Sequence, residues 1–458
     1  MTQPNPWRVF AVVGLAVFLS ILDLFIVNIA FPDLRRDFGG SSLSGLSWVL
    51  TAYAIVFAAV LVPAGKLGDL FGRRRMFVGG LALFTLGSAL CAVAPSVEAL
   101  VAARVLQGIG AAALTPNSLG LVLPLFPPER RAPVIGAWAA IGAVGASLAP
   151  PLGGLLVEAS WRWIFVVNVP LGVLAIVLAL RLIPEIRDPR ASRLPDLPGI
   201  AVLVAAVASL TLGLAQGPEW DWDARVLAAF AVAGALGALF LRRSARHPAP
   251  VVELGLLRVP AFALASLSTF LFSAGFAGLL FGNVLFFTEV WGYSILEAGF
   301  AFAPGPLLAA TTAALSGRFS DRIRPAALGV PGGFLFAAGC GYWISRAGLE
   351  PHYLADVLPG QILTGTGVGL MLPAFTATAA ATLPPDRLAT GIAVQTMFRQ
   401  LGAALGLAAW VAIAGTPAPG AVIDAFHAGW AFMATAAVGA SLALVPMARG
   451  RLVHRLVV

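Results

Sequence analysis

Residues 104–130 read RVLQGIGAAALTPNSLGLVLPLFPPER, and residues 361–387 read QILTGTGVGLMLPAFTATAAATLPPDR. A constant offset of 257 carries Gly108, Gly110, Pro116, Pro127, Pro128, Glu129 and Arg130 onto Gly365, Gly367, Pro373, Pro384, Pro385, Asp386 and Arg387, and it sets Arg104 against Gln361. Gly65 and Asp69 recur in the same way, at an offset of 252, as Gly317 and Asp321. Each stretch opens with an apolar run long enough for a membrane helix, which needs about 20 residues. Ordered recurrence over such a distance is the mark of a duplicated chain.

Composition widens the inference. Of 458 residues, 59% are hydrophobic and 11% charged, where a soluble domain carries roughly 25% charged residues. That excludes an ordinary water-soluble protein and a disordered one. Apolar runs bounded by charges, Pro and Gly predict spans near 8–31, 46–66, 76–95, 98–124, 133–157, 162–183, 198–216, 225–242, 261–288, 294–316, 326–344, 355–382, 388–414 and 426–447. The first is expected to be retained, being too long for a signal peptide, without a small-residue cleavage site, and holding Asp23 and Asn28. Both repeated features recur eight spans apart. The predicted fold is therefore an all-α polytopic membrane protein of 14 transmembrane helices. Residues 1–183 and 261–458 form six-helix bundles, and 184–260 supplies two inserted helices and a linker. The linker, 242–260, is expected to lie in the membrane interface. Two such halves place a substrate site between them near the bilayer midplane.

With the N-terminus inside, 22 of the 29 basic residues fall in cytoplasmic segments, 5 outside and 2 within spans. This positive-inside bias puts both termini in the cytoplasm. It also accounts for the net charge of +8 without a nucleic-acid partner. Cys91 and Cys340 lie in apolar runs and form no disulfide framework. No GxxxxGK[ST] phosphate loop is present, Gly108 and Gly110 follow no strand, and His247, His352, His427 and His454 lack ligand spacing. No cofactor, metal or enzymatic activity is expected.

Ionisable groups inside spans are functional candidates by default. Asp23 lies about 12 Å below the outer end of its span, and Arg104 about 9 Å below the same surface. A buried carboxylate beside a cation can release and recapture a proton near neutral pH; alternatively the two are a permanent pair pinning spans 1 and 4. Arg399 is a second buried cation, with Gln395 one turn earlier, and serves either substrate or half–half packing. Gly402 and Gly406 permit close helix approach there. Glu289, beside Asn283 and Thr288, is either a solvated interfacial glutamate or a further proton or cation site. Asn28, Trp48, Tyr53, Gln107, Asn117, Trp138, Asn168, Asn283 and Gln395 are expected to line the cavity, whose aromatic walls suit lipophilic cations. Spans 7 and 8, with Thr211 and Gln216 their polar side chains, read as packing elements.

These motifs resemble the major facilitator superfamily, specifically its fourteen-span drug:proton antiporter branch. LDLFIVNIAFPDL matches the branch's span-1 signature through Asp23, Asn28 and Pro32, and GKLGDLFGRRR the cytoplasmic-loop motif through Gly65, Asp69, Gly72 and Arg73. Leu70 stands where a basic residue is usual, whereas the second copy, GRFSDR, keeps Arg322. RVLQGIG matches the motif around a buried Arg, here Arg104; Gly136, Gly145, Pro150, Gly153 and Gly154 match the antiporter pattern of span 5, with Ala149 replacing a Gly. WRWIFVVNVPLG and RQLGAALG are also typical of the branch.

The resemblance implies that Arg104 takes part in proton transfer. It also implies that Asp69 and Arg73, with Gly317, Asp321 and Arg322 as the second-half copy, act in a gating latch. The expected function is proton-coupled export of small amphipathic compounds across the cytoplasmic membrane by a monomer, with small-molecule substrate, protons and membrane lipid as partners. The alternative is a narrow natural substrate, such as one metabolite or envelope lipid, or import, against which the span-5 pattern counts. Twenty-eight Arg against one Lys, with abundant Ala and Gly, points to a bacterial source.

Overall fold

The computed structural model describes residues 5–39, 42–187, 193–317, 323–383, 387–414 and 420–450. All regular elements among them are helical, and 14 are long and apolar enough to cross a membrane. They are α1 (Pro6–Asp37), α2 (Leu43–Phe71), α3 (Arg73–Ala92), α4 (Val97–Leu125), α5 (Gly136–Ala159), α6 (Trp163–Leu182), α7 (Leu197–Gln216), α8 (Ala224–Arg246), α9 (Pro260–Val290), α10 (Ile295–Ser316), α11 (Pro325–Arg346), α12 (Tyr353–Ala380), α13 (Thr390–Ala414) and α14 (Val422–Ala448). Several outrun their apolar stretches: α1 continues to Asp37, its last turn carrying an Asp33–Arg36 pair. Hydropathy marks where a chain is apolar, whereas the hydrogen-bond ladder continues until a cap stops it.

Local chemistry sets the ends. Asn5, Ser42, Ser96 and Ser294 accept hydrogen bonds from the first-turn amides of α1, α2, α4 and α10, and Glu297 completes a capping box with Ser294. Gly72 joins α2 to α3 at φ +113°, where L side chains are strained. A Cβ there would also lie 2.5 Å from the Glu185 carboxylate.

The chain divides into two compact units: an N-terminal unit of residues 1–206 with 235–252, and a C-terminal unit of 207–234 with 253–458. In the N-terminal unit α4 packs on α2 and α3, α1 on α5, and α6 on α3 and α1. In the C-terminal unit α12 packs on α10 and α11, α9 on α13, and α14 on α11 and α9. Adding eight to each helix number turns the first set into the second, so the repeat extends to the packing.

The tightest crossing has the same chemistry in both units. A Cβ on Gly80 of α3 would lie 2.8 Å from Gly110 O of α4, and one on Gly367 of α12 would lie 2.5 Å from Gly332 O of α11. Glycine pairs of this kind let membrane helices approach backbone to backbone.

α7 and α8 are largely apolar outside, with Leu227, Val232, Leu239 and Leu241 exposed. Asp196, 1% exposed, accepts from Arg243 Nε at 2.7 Å and ties the start of α7 to the end of α8. In the linker that follows, Arg246, Pro248 and Arg258 are exposed. Val251 and Val252 are buried, and Lys66 Nζ donates to Pro250 O at 2.9 Å.

Candidate functional site

α1 and α4 bring Asp23 and Arg104 together inside the N-terminal unit. Both are 0% exposed, and Arg104 Nη1 lies 2.5 Å from Asp23 Oδ2. A charge pair removed from water is stable only if the remaining lone pairs and protons are also satisfied. Three more helices contribute to that. Gln107, one turn after Arg104, donates from Nε2 to Asp23 Oδ1 at 2.8 Å and accepts from Arg104 Nη1 at 2.6 Å. Asn168 of α6 donates to Asp23 Oδ1 at 3.0 Å. Ser88 of α3 accepts from both amides, at 2.6 and 3.2 Å. Arg104 Nε donates to Val49 O of α2 at 3.1 Å, and the Tyr53 ring lies 4.2 Å from the guanidinium carbon.

The local fold prepares this geometry. α6 is interrupted between a short turn at Trp163–Val166 and the helix Asn168–Leu182, which delivers Asn168 inward. α5 presents Gly142, Gly145 and Gly153 to α1, where added Cβ atoms would approach Ile21 and Ile26, two residues before and three after Asp23. Pro150 and Gly154 are buried on the same helix, whereas Gly136 is exposed and faces open space. Arg104 Nη2 has no hydrogen-bond partner, so the cluster keeps one unused donor.

The other polar candidates lie elsewhere. Asn28 donates to its own helix carbonyls at Leu24 and Phe25, and Trp48 is half-buried. Asn117 donates to Ala64 O and Ala113 O, tying α4 to α2, and Trp138 Nε1 donates to Ser118 Oγ. In the C-terminal unit Asn283 accepts from Trp430 Nε1 at 3.0 Å, and Glu289 is exposed on a π-helical turn that ends α9. Arg399, expected to be buried, is instead exposed, because its side chain leaves the helix packing, and with Gln395, which is buried, it lines one pocket of the C-terminal unit. Gly402 and Gly406 lie against the α9 backbone at Phe270 and Ala274.

The loop between α2 and α3 is a second polar assembly. Asp69 pairs with Arg73 at 2.5 Å, and Gly65 packs on Pro116. Glu185, just after α6, accepts from Arg74 N at 3.0 Å and stands 3.8 Å from Arg75 Nε. Arg73 N donates to Ile186 O, and the Arg74 side chain donates to Leu180 O. In the second copy Gly317 ends the helix Pro304–Gly317, while Asp321 and Arg322 lie outside the described residues. Glu185 and Ser88 are missed in the sequence. The first has a signal, an acid within the basic run 181–193, and the second has none in its spacing.

A helical membrane protein of two packing-equivalent bundles, one enclosing a desolvated ion pair, belongs to the class of membrane carriers. Residues 13–407 match the Major Facilitator Superfamily, and the chain belongs to that family of transporters. It is 35% identical over 410 residues to the multidrug resistance protein Stp of Mycobacterium tuberculosis, covering 87% of this chain and 75% of that one. To the puromycin resistance protein pur8 of Streptomyces alboniger it is 34% identical over 464 residues, covering 96% and 90%. Its fold also matches the crystal structure of a D-xylose–proton symporter, with a TM-score of 0.67, 16% identity and coverage of 96% and 97%.

Proposed function

We propose that this protein exports small amphipathic compounds from the cytoplasm in exchange for protons, and that Asp23 carries the proton. The observation behind this reading is the fully enclosed Asp23–Arg104 pair with Gln107 and Asn168 both donating to Asp23. Relatives named for multidrug resistance, for tetracenomycin C resistance and export, and as a drug efflux pump support the outward direction and the substrate type.

Protonation of Asp23 removes the negative charge that Arg104, Gln107 and Asn168 jointly serve. Arg104 then carries an uncompensated charge in a low-dielectric site, and its spare Nη2 seeks another acceptor. Because the cluster joins α1, α2, α3, α4 and α6, a change there bears on how those helices pack. Proton arrival from outside thereby favours one conformation, and proton loss to the cytoplasm the other.

The driving force is adequate. A potential of about 100 mV contributes about 2.3 kcal/mol per charge, and each pH unit about 1.4 kcal/mol. Together these exceed the roughly 2.7 kcal/mol of a hundredfold gradient of a neutral substrate. The Asp69–Arg73 pair and the Glu185 contacts hold the α2–α3 loop as a gate latch, and the protein works as a monomer in the cytoplasmic membrane. In inverted membrane vesicles energised with ATP, ethidium should accumulate and then leak on addition of a protonophore. Accumulation that survives the protonophore would exclude proton exchange.

A further inference from the structure

Arg399 is the twelfth residue of the helix Leu388–Ala414, about 17 Å along a rod of about 40 Å. At that depth a guanidinium is tolerated only against a counter-charge, a polar ligand or a water-filled cavity, and Arg399 is exposed. In the N-terminal unit Asp23 meets this need for Arg104. Nothing equivalent exists among the described residues of the C-terminal unit. The acidic residues on α9 to α14 are Glu289, Glu297, Asp356 and Asp424, all within the first or last turn of their helices. Arg399 makes neither an ion pair nor a hydrogen bond among the described residues.

The cation instead opens onto a small pocket built by α9, α12 and α13, with room for an acid group rather than a whole drug-sized molecule. Leu372, Phe375 and Ile392 give it an apolar and aromatic wall. Gln395, one turn before Arg399, is 4% exposed. Its Nε2 donates to Thr269 Oγ1 and to Phe375 O, both at 3.0 Å, so the amide is held rigidly while its Oε1 has no partner. A buried acceptor without a donor is costly. The pocket thus sets an unpaired cation beside an apolar wall, with the Gln395 amide fixed behind it.

We propose that this pocket receives the acidic group of those exported substrates that carry one, a carboxylate or ionised phenol on an aromatic or aliphatic body. The inference rests on the exporter reading above and names its substrate class. Arg399 pairs with the anion, for which the planar guanidinium fork is suited. The carbon body lies along Leu372, Phe375 and Ile392. A lipid headgroup is excluded as the occupant by the depth of Arg399 along the helix.

Binding of 1-pyrenebutyrate and of its methyl ester to the purified protein, read by energy transfer from its tryptophans, tests the assignment. Arg399→Gln should weaken pyrenebutyrate at least tenfold and leave the ester within twofold, while Arg399→Lys retains most of the preference for the acid. Thr396→Asp, three residues from Arg399 and lining the same pocket, supplies an internal counter-charge. It should give the same selective loss even if Arg399→Gln fails to fold. Equal weakening of acid and ester, or no change in either, overturns the proposal. Ethidium transport measured in parallel separates the two readings. Proton-driven ethidium uptake without acid selectivity removes the subsite and keeps the exporter. Acid selectivity without any transport does the reverse.

Discussion

With Asp23 changed to Asn, Arg104 keeps its charge and loses its counter-ion in a site that water does not reach. Breaking a buried pair from one side costs about 3–5 kcal/mol, so Asp23→Asn should melt at a clearly lower temperature and lose proton-driven ethidium uptake. Asp23→Asn combined with Arg104→Gln removes both charges. It should recover most of the melting temperature while transport stays at background, because the proton site is gone. Recovery of transport in that double variant would show that the pair only pins α1 to α4. Asn168→Ala should lower stability by about 1–3 kcal/mol, since it withdraws a donor from both Asp23 and Ser88. Thermal unfolding of the purified protein reads this directly. The pairing of Asp23 with Arg104 is foreseeable from their similar depths. The roles of Ser88 and of Val49 O are not, because hydroxyls and carbonyls occur throughout membrane helices and only coordinates select these two.

Helix pairs are where the duplication becomes physical. Gly110 and Gly367 occupy corresponding positions of α4 and α12, and each lies against the backbone of the preceding helix. Gly110→Ala and Gly367→Ala should each destabilise by about 1–3 kcal/mol, the usual range for overpacking a tight contact. Gly234→Ala in α8, whose added Cβ meets nothing within 4 Å, should instead stabilise by about 0.4–1 kcal/mol. Melting curves for the three variants check both signs. The glycines are visible in the repeat, yet their partners are not, since a spacing shows which residues share a face and not what that face meets. The same limit explains the α2–α3 loop. Its arginines read as positive-inside anchors, and their attachment to Glu185 crosses more than 100 residues of chain.

An even number of spans puts both termini on one side, and the arginine bias predicts that this side is the cytoplasm. Alkaline phosphatase fused after position 220, between α7 and α8, should be active in intact cells. The same enzyme fused after position 190 should be inactive. Reversed activities would overturn the orientation on which proton entry to Asp23 depends. Span number, the eight-helix offset of the repeat and membrane class are legible in the residues alone, because each is a property of one segment or of two compared at a fixed offset. Bilayer thickness and the cost of unsatisfied backbone then force those segments to be helices. Which helix faces which, why Asn117 and Asn283 bond single partners on neighbouring helices while Asn168 joins the ion cluster, and where Arg399 opens are three-dimensional outcomes. They turn on the rotation of each helix about its axis, which in a nearly uniformly apolar rod leaves little trace in the order of residues. That rotation is set by small-residue contacts and buried polar bonds between segments far apart in the chain.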